Sequence, residues 1–228
     1  MAKIPFDIVG FDLDGTLLDT SRELTAAVNH TLALAGRPTF SVAEVRPMIG
    51  RGARHMLDMG LERSGGSSRD LLEKWLPVLL DYYDAHIGND SPPFPGLIEA
   101  LDTLDEMGVR IAVVTNKYER FASKLLDRIG MAERFDCIIG GDTMGPGKAK
   151  PHRAPIDEMI RRCGGSIAST AAAAFVGDSE ADTGAARAAC IPSIAVSFGF
   201  LTGPVEQLGA DAVIHHYDEL LPTLIRLG

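Results

Sequence analysis

The sequence predicts an α/β fold: a doubly wound parallel sheet with an all-helical segment inserted after its first strand. Three observations predict it. A short apolar run near the N-terminus breaks off in the acidic turn Asp12-Leu13-Asp14-Gly15. From about Thr20 to His86 the apolar residues recur at helical intervals, and no strand pattern appears. After residue 109 short apolar runs alternate with helical stretches, and strands separated by helices pair in parallel.

Each element has its own signal. Residues 6–11 form a short, β-compatible run that Gly15 closes with a turn. Thr20 and Glu23 have capping-box spacing, and Leu24, Val28 and Leu32 continue a helix that Gly36 and Pro38 stop. Ser41 with Glu44 repeats the capping signature. Another helix begins near Ser67 or Ser68, and its stripe from Leu71 to Tyr83 reads as core packing. Ser-Pro-Pro-Phe-Pro-Gly at 91–96 reads as a stiff linker. Strands are expected at 109–115, 135–139, 172–176, 194–197 and 212–214. Helices are expected up to Ile129, from about His152, from Ser179, and at the end up to Arg226. The alanine-rich run 171–174 has weak strand propensity, so that strand rests on its context. The expected organisation is a Rossmann-like core of residues 1–18 plus 92–228 and a helical cap of residues 19–91.

The composition narrows the function classes. The chain has 228 residues, enough for one α/β core with an insertion, and it buries enough surface to need no staples. Formal net charge is -9, which argues against nucleic acid and anionic lipid as partners. Cys137, Cys163 and Cys190 match no zinc spacing and read as reduced thiols. The first apolar run is broken by Asp7, Asp12 and Asp14, unlike a signal peptide, and no stretch reaches the ~18 apolar residues of a membrane span. The cytoplasm is the expected location.

Four constellations carry chemistry, each after an expected strand. Asp12 and Asp14 are two apart, so in extended chain they face one way while Leu13 turns inward. They stand where open α/β sheets place ligands; the plainer alternative is a turn or N-cap pair. Thr115-Asn116 offers a hydroxyl and backbone N–H groups to phosphate oxygens, or simply caps a helix. Lys150-Pro151 places proline in the first turn of the next helix and Lys150 in the loop at its mouth, with Lys148 a competitor. Asp178 and Asp182 lie one helical turn apart on one side, or compensate a helix dipole; Glu180 points elsewhere. Parallel strands bring these ends to one edge. Four converging carboxylates cannot all ionise without cations. Lys150 supplies one charge, and a hard oxygen-liganded ion, Mg²⁺, is expected to supply the rest. No histidine spacing suits zinc.

The segments Asp-Leu-Asp-Gly-Thr-Leu-Leu-Asp (12–19), Val-Thr-Asn-Lys (114–117), Lys-Pro-His (150–152) and Val-Gly-Asp-Ser-Glu-Ala-Asp (176–182) together resemble the four motifs of the haloacid dehalogenase superfamily. Within it the chain is most similar to the phosphoglycolate phosphatase branch, through Ile-Gly-Arg-Gly-Ala (49–53), Phe-Pro-Gly (94–96), Thr-Asn-Lys (115–117) and Ile-Gly-Gly-Asp (139–142). The resemblance implies Asp12 as nucleophile and Asp14 as general acid and base. It implies a metal held by the Asp12 carboxylate, the Asp14 carbonyl and Asp178. It also implies phosphoryl binding by Thr115, Asn116 and Lys150, with Asp182 orienting Lys150 or a metal-bound water. Two departures stand out: Arg-Ala-Pro follows Lys-Pro-His, and Cys190 replaces the usual glycine after Ala-Ala.

These readings lead to a Mg²⁺-dependent phosphatase acting on a small phosphorylated metabolite through a phospho-aspartate on Asp12. The rivals are a sugar-phosphate mutase, an inorganic pyrophosphatase and a silent binding protein; the last should have lost Asp12, Asp14, Lys150 or Asp178, and all four are present. Asp14 favours phosphate esters over other substrates of the family. Selectivity should come from the helical insertion. Arg51, flanked by Gly50 and Gly52, could grip a carboxylate with two parallel hydrogen bonds, as 2-phosphoglycolate would require.

Overall fold

The computed structural model describes residues 4–165 and 172–228. Its centre is a six-stranded, all-parallel sheet of strands β1 (Ile8–Phe11), β2 (Arg110–Val114), β3 (Cys137–Ile139), β4 (Ala173–Gly177), β5 (Ser193–Val196) and β6 (Ala212–Ile214). Their order is β3-β2-β1-β4-β5-β6, so the winding reverses between β1 and β4. Ligands of open α/β sheets bind at that reversal. The predicted doubly wound fold is present, and every expected strand lies within two residues of an observed one. Ala171, at the edge of the weak alanine run, lies outside the described residues.

Alternation along the strands divides the core in two. Val9, Phe11, Ile111, Val113, Ala174 and Val176 face one cluster. Ile8, Ala112, Val114, Ala173 and Phe175 face the other. The period-2 split follows from the pleat, and burial on both faces explains why these strands read as unbroken apolar runs. The second cluster is completed by helices α7 (Ala154–Arg162) and α8 (Glu180–Ala189). Alanines of α8 let that helix pack closely on the sheet. Its C-cap, Cys190, has φ 60°, the left-handed geometry for which glycine is usual.

The first cluster extends into helices α1 (Ser21–Leu34), α2 (Val42–Val45), α3 (Ala53–Arg63) and α4 (Arg69–His86), all between β1 and β2. It also takes in α5 (Leu97–Glu106), α6 (Glu119–Arg128) and α9 (Leu220–Leu227). The helical excursion leaves and rejoins the sheet at one place. Leu18 bridges Pro93, Asp19 N donates to Pro92 O, and Phe94 N donates to Leu17 O. Glu23, buried, accepts hydrogen bonds from the backbone N–H groups of Gly88 and Asp90.

Two local expectations need correction. The Ser41–Glu44 capping box forms, but Thr20 caps nothing with its side chain. Its hydroxyl donates to Asp14 Oδ1 at 2.7 Å, and Glu23 serves the clasp instead. Pro151 does not open α7; Pro155 takes that place, and the Lys150–Pro151 peptide is cis. The segment after Gly96, to which no element was assigned, is helix α5, with Leu97, Leu101 and Leu104 buried at helical spacing.

Candidate active site

The strand register builds the site. Phe11 pairs with Val113 on one side and Val176 on the other. The residues that follow, Asp12, Thr115 and Asp178, therefore emerge together at the carboxyl edge, beside the topological reversal. Asp12 N donates to Val176 O, which extends the β1–β4 ladder by one residue and fixes where the Asp12 side chain begins. All three are buried. Gly15 makes room for this arrangement. Its φ is +85°, and a β-carbon there would lie 2.2 Å from Asp178 Oδ2.

Lys150 reaches into the cluster from the loop before α7. Its ammonium donates to Val114 O at 2.6 Å and Asp182 Oδ1 at 2.6 Å, and lies 2.9 Å from Asp12 Oδ1. The contact with Asp12 is close, yet it is not aligned as a hydrogen bond, and Oδ1 has no hydrogen-bond partner among the described residues. Asp182 is itself held. Its Oδ2 accepts from the backbone N–H of Asp178 and Ser179 and from Ser179 Oγ. Asp178 Oδ2 accepts from Phe200 N at 2.6 Å. Asp14 faces another way: its Oδ2 lies 2.9 Å from Lys117 Nζ, and Lys117 donates to Tyr83 Oη at 3.0 Å. Asn116 Nδ2 donates to the carbonyls of Gly50 and Lys150, joining the sheet edge to the loop before α3.

The electrostatics follow from crowding. Burial pushes the Asp12 carboxyl up to about 7, with Asp182 and Asp14 adding to the rise and Lys150 opposing it. Burial likewise raises Asp178 well above the usual carboxylate range, helped by Asp182 and Asp12. Burial alone would lower Lys150, but Asp12 and Asp182 outweigh it and its pKa rises. One oxygen each from Asp12, Asp178 and Asp182 fall within 4.8 Å of one another, an arrangement that could hold a metal ion. A cation fits this group. Among the described residues, the three carboxylates have one nearby ammonium, which pairs with only two of them, Asp12 Oδ1 lacks a hydrogen-bond donor, and the ligand set is all oxygen, which suits a hard divalent ion.

The structure thus brings Asp12, Thr115, Asn116, Lys150, Asp178 and Asp182 to one edge, with the Asp14 carboxylate turned toward the helical excursion. Arg51 is exposed and lines an outer cleft of about 630 Å³ with His55, Asn116, Lys150 and Asp178. The sequence pattern reads Tyr83 as packing and Thr20 as a helix cap, and it gives Lys117 no role. The available signal was Lys117 immediately after Thr-Asn, at the entrance to a helix.

The family model of haloacid dehalogenase-like hydrolases matches residues 9–196. The chain belongs to that family. It is 38% identical over 223 residues to a phosphoglycolate phosphatase of Caulobacter vibrioides, covering 96% of this chain and 91% of the relative. It is 37% identical to a phosphoglycolate phosphatase of Agrobacterium fabrum, covering 94% of this chain and 90% of that one. Among solved structures, a predicted phosphoglycolate phosphatase from Haemophilus somnus superposes with a TM-score of 0.88 at 27% identity, covering 96% of this chain and 98% of that one. The chain is thus a phosphatase of the haloacid dehalogenase-like family. No helix among the described residues is long and apolar enough to cross a membrane.

Proposed function

We propose that the protein is a Mg²⁺-dependent phosphatase that hydrolyses a small phosphate monoester, 2-phosphoglycolate, through a phospho-aspartate on Asp12. The observation that carries this reading is the division of labour between two carboxylates. Asp12 lies with Lys150, Asp178 and Asp182, while Asp14 faces Lys117, Tyr83 and a small cavity beneath the helices. This separation supports a reading in which Asp12 meets phosphorus and Asp14 meets the leaving oxygen. The substrate reading rests on the phosphoglycolate phosphatases the chain is similar to.

In this scheme an Asp12 oxygen attacks phosphorus and the ester P–O bond breaks. Asp14 gives its proton to the departing alkoxide, which leaves as an alcohol. Asp14 then takes a proton from water, the hydroxyl oxygen attacks phosphorus, and the P–O bond to Asp12 breaks. Inorganic phosphate leaves and both carboxylates are restored. Thr115, Asn116 and Lys150 bind the phosphoryl oxygens. Asp182 holds Lys150 in place through the 2.6 Å contact. Mg²⁺, held by the Asp12 carboxylate, the Asp14 carbonyl and Asp178, would supply positive charge against the transferring group. The helical segment 19–91 acts as the cap over the remaining residues, and Arg51 draws anionic substrate to its mouth.

The test is hydrolysis of 2-phosphoglycolate with and without a chelator, beside the Asp12→Asn variant. Turnover should vanish on chelation and return with Mg²⁺. Asp12→Asn should fold normally by circular dichroism and lose activity on the order of 10⁴-fold or more, since an amide is a poor nucleophile. Full turnover after chelation would remove the metal. A variant keeping a tenth of wild-type turnover would remove Asp12 as nucleophile.

A further inference from the structure

Lys117 is a buried ammonium that the scheme above leaves unused. The residue is 8% exposed. It rests over the Tyr83 ring at 4.7 Å, donates to Tyr83 Oη, and pairs with Asp14 Oδ2 at 2.9 Å. An ammonium has three N–H donors. No third partner for Lys117 Nζ is found among the described residues, whereas Lys150 has three partners. Lys117 thus has donor capacity that no group among the described residues takes up.

Lys117 lines a small cavity of about 40 Å³. Its walls combine Asp14, Lys117 and Tyr83 with apolar Leu24, Met56 and Leu79. A single water needs roughly 10–15 Å³ by the same measure, so the space suits a few heavy atoms rather than a sugar ring. A cation among apolar walls recognises an anion strongly, because little water competes for either partner. The acid that would protonate the leaving oxygen lies 2.9 Å from this cation, so a leaving group that meets Asp14 also meets Lys117. Arg51, by contrast, is exposed, and solvent screens its charge.

We propose that Lys117, supported by Tyr83 Oη, determines specificity by binding a carboxylate on the leaving group of a small phosphate monoester. This rests on the phosphatase reading above and deepens it. It assigns the bound carboxylate to Lys117 rather than to Arg51, and it accounts for the reach of Tyr83 from α4 to a lysine at the sheet edge.

The experiment compares kcat/KM for 2-phosphoglycolate and for ethyl phosphate, which has a two-carbon leaving group without the carboxylate. Wild-type protein should prefer 2-phosphoglycolate; equal rates would overturn the substrate reading itself. Lys117→Met should lower the preference roughly 10–150-fold, mostly through KM, as loss of a hydrogen bond to a charged group implies. Lys117→Arg should retain part of it. Tyr83→Phe should lower it several-fold, and Arg51→Ala should leave it within about threefold. Equal losses on both esters in Lys117→Met would show that Lys117 merely positions Asp14, and would overturn the inference while leaving the substrate reading intact. A selective loss in Arg51→Ala without one in Lys117→Met would also overturn it. Should Lys117→Met not fold, Tyr83→Phe decides: an unchanged preference sinks the inference.

Discussion

Lys150 and Lys117 are both buried, and both face an aspartate of the Asp12-Leu13-Asp14 turn, but their surroundings differ. Lys150 draws its partners from the sheet edge and from α8: the Val114 carbonyl, Asp12 and Asp182. Lys117 has one partner from that edge, Asp14, and one from the helical excursion, Tyr83. The first lysine belongs to a network closed within the sheet and its helices. The second is complete only while α4 lies over the site. Charges that act on every substrate can be fixed once in a rigid frame, while a charge that reads the variable part of a substrate is shared with the element that covers it.

The largest expected effect breaks the Lys150 side. Lys150→Met leaves Asp12 and Asp182 without their counter-charge, and removing one partner of a buried pair costs about 3–5 kcal/mol. Urea unfolding should show that loss, and turnover should disappear with all esters. Lys117→Met should cost less stability, because Asp14 keeps the Thr20 hydroxyl as a donor. An equal loss in the two variants would erase the contrast. Next in size, Asp14→Asn should depend on the leaving group. Loss of the acid should slow ethyl phosphate about 10²–10⁴-fold and an aryl phosphate far less; equal slowing would take Asp14 out of the acid role.

The smallest effect concerns the phenol between α4 and Lys117. Burial pushes Tyr83 up to about 12, with Lys117 opposing the rise and Asp14 adding to it. The unfolded chain releases that proton near 10. Between those values the unfolded state binds fewer protons than the folded one, so stability falls as pH rises. Tyr83→Phe should make that fall shallower by about one proton in denaturant titrations. An unchanged slope would mean that Tyr83 is less well buried than the structure shows.

The sequence made the sheet legible because its strands are buried on both faces and its acidic residues follow their ends. Asp12, Thr115 and Asp178 could be named for the same reason: each follows a strand end, and parallel strands share an edge; Lys150 and Asp182 could be named from the loop and the first helical turn beside them. What was missed lies where a local pattern and a distant partner compete. Thr20 and Glu23 have the spacing of a capping box, but Asp14 and the backbone of Gly88 and Asp90 are better partners in the folded chain. Tyr83 belongs to an apolar stripe, and nothing in that periodicity shows that its hydroxyl meets a lysine 34 positions away. Helix α5 was hidden because the proline-rich run before it reads as linker, although Leu97, Leu101 and Leu104 carry the helical period. Pro151 suits a helix start, but Pro155, four residues on, holds the first turn of α7.

The clasp between residues 17–19 and 92–94 has an evolutionary consequence. Because the excursion departs and returns across adjacent hydrogen bonds, the sheet experiences it as a loop with a fixed, short span. Loop-closure entropy grows slowly with length, by roughly 0.6 kcal/mol per doubling. Helices could be lengthened, replaced or pared back between those two points without disturbing the register that aligns β1 with its neighbours. The clasp is a graft junction: a lineage could exchange what the site admits while inheriting, unaltered, the edge on which the chemistry stands.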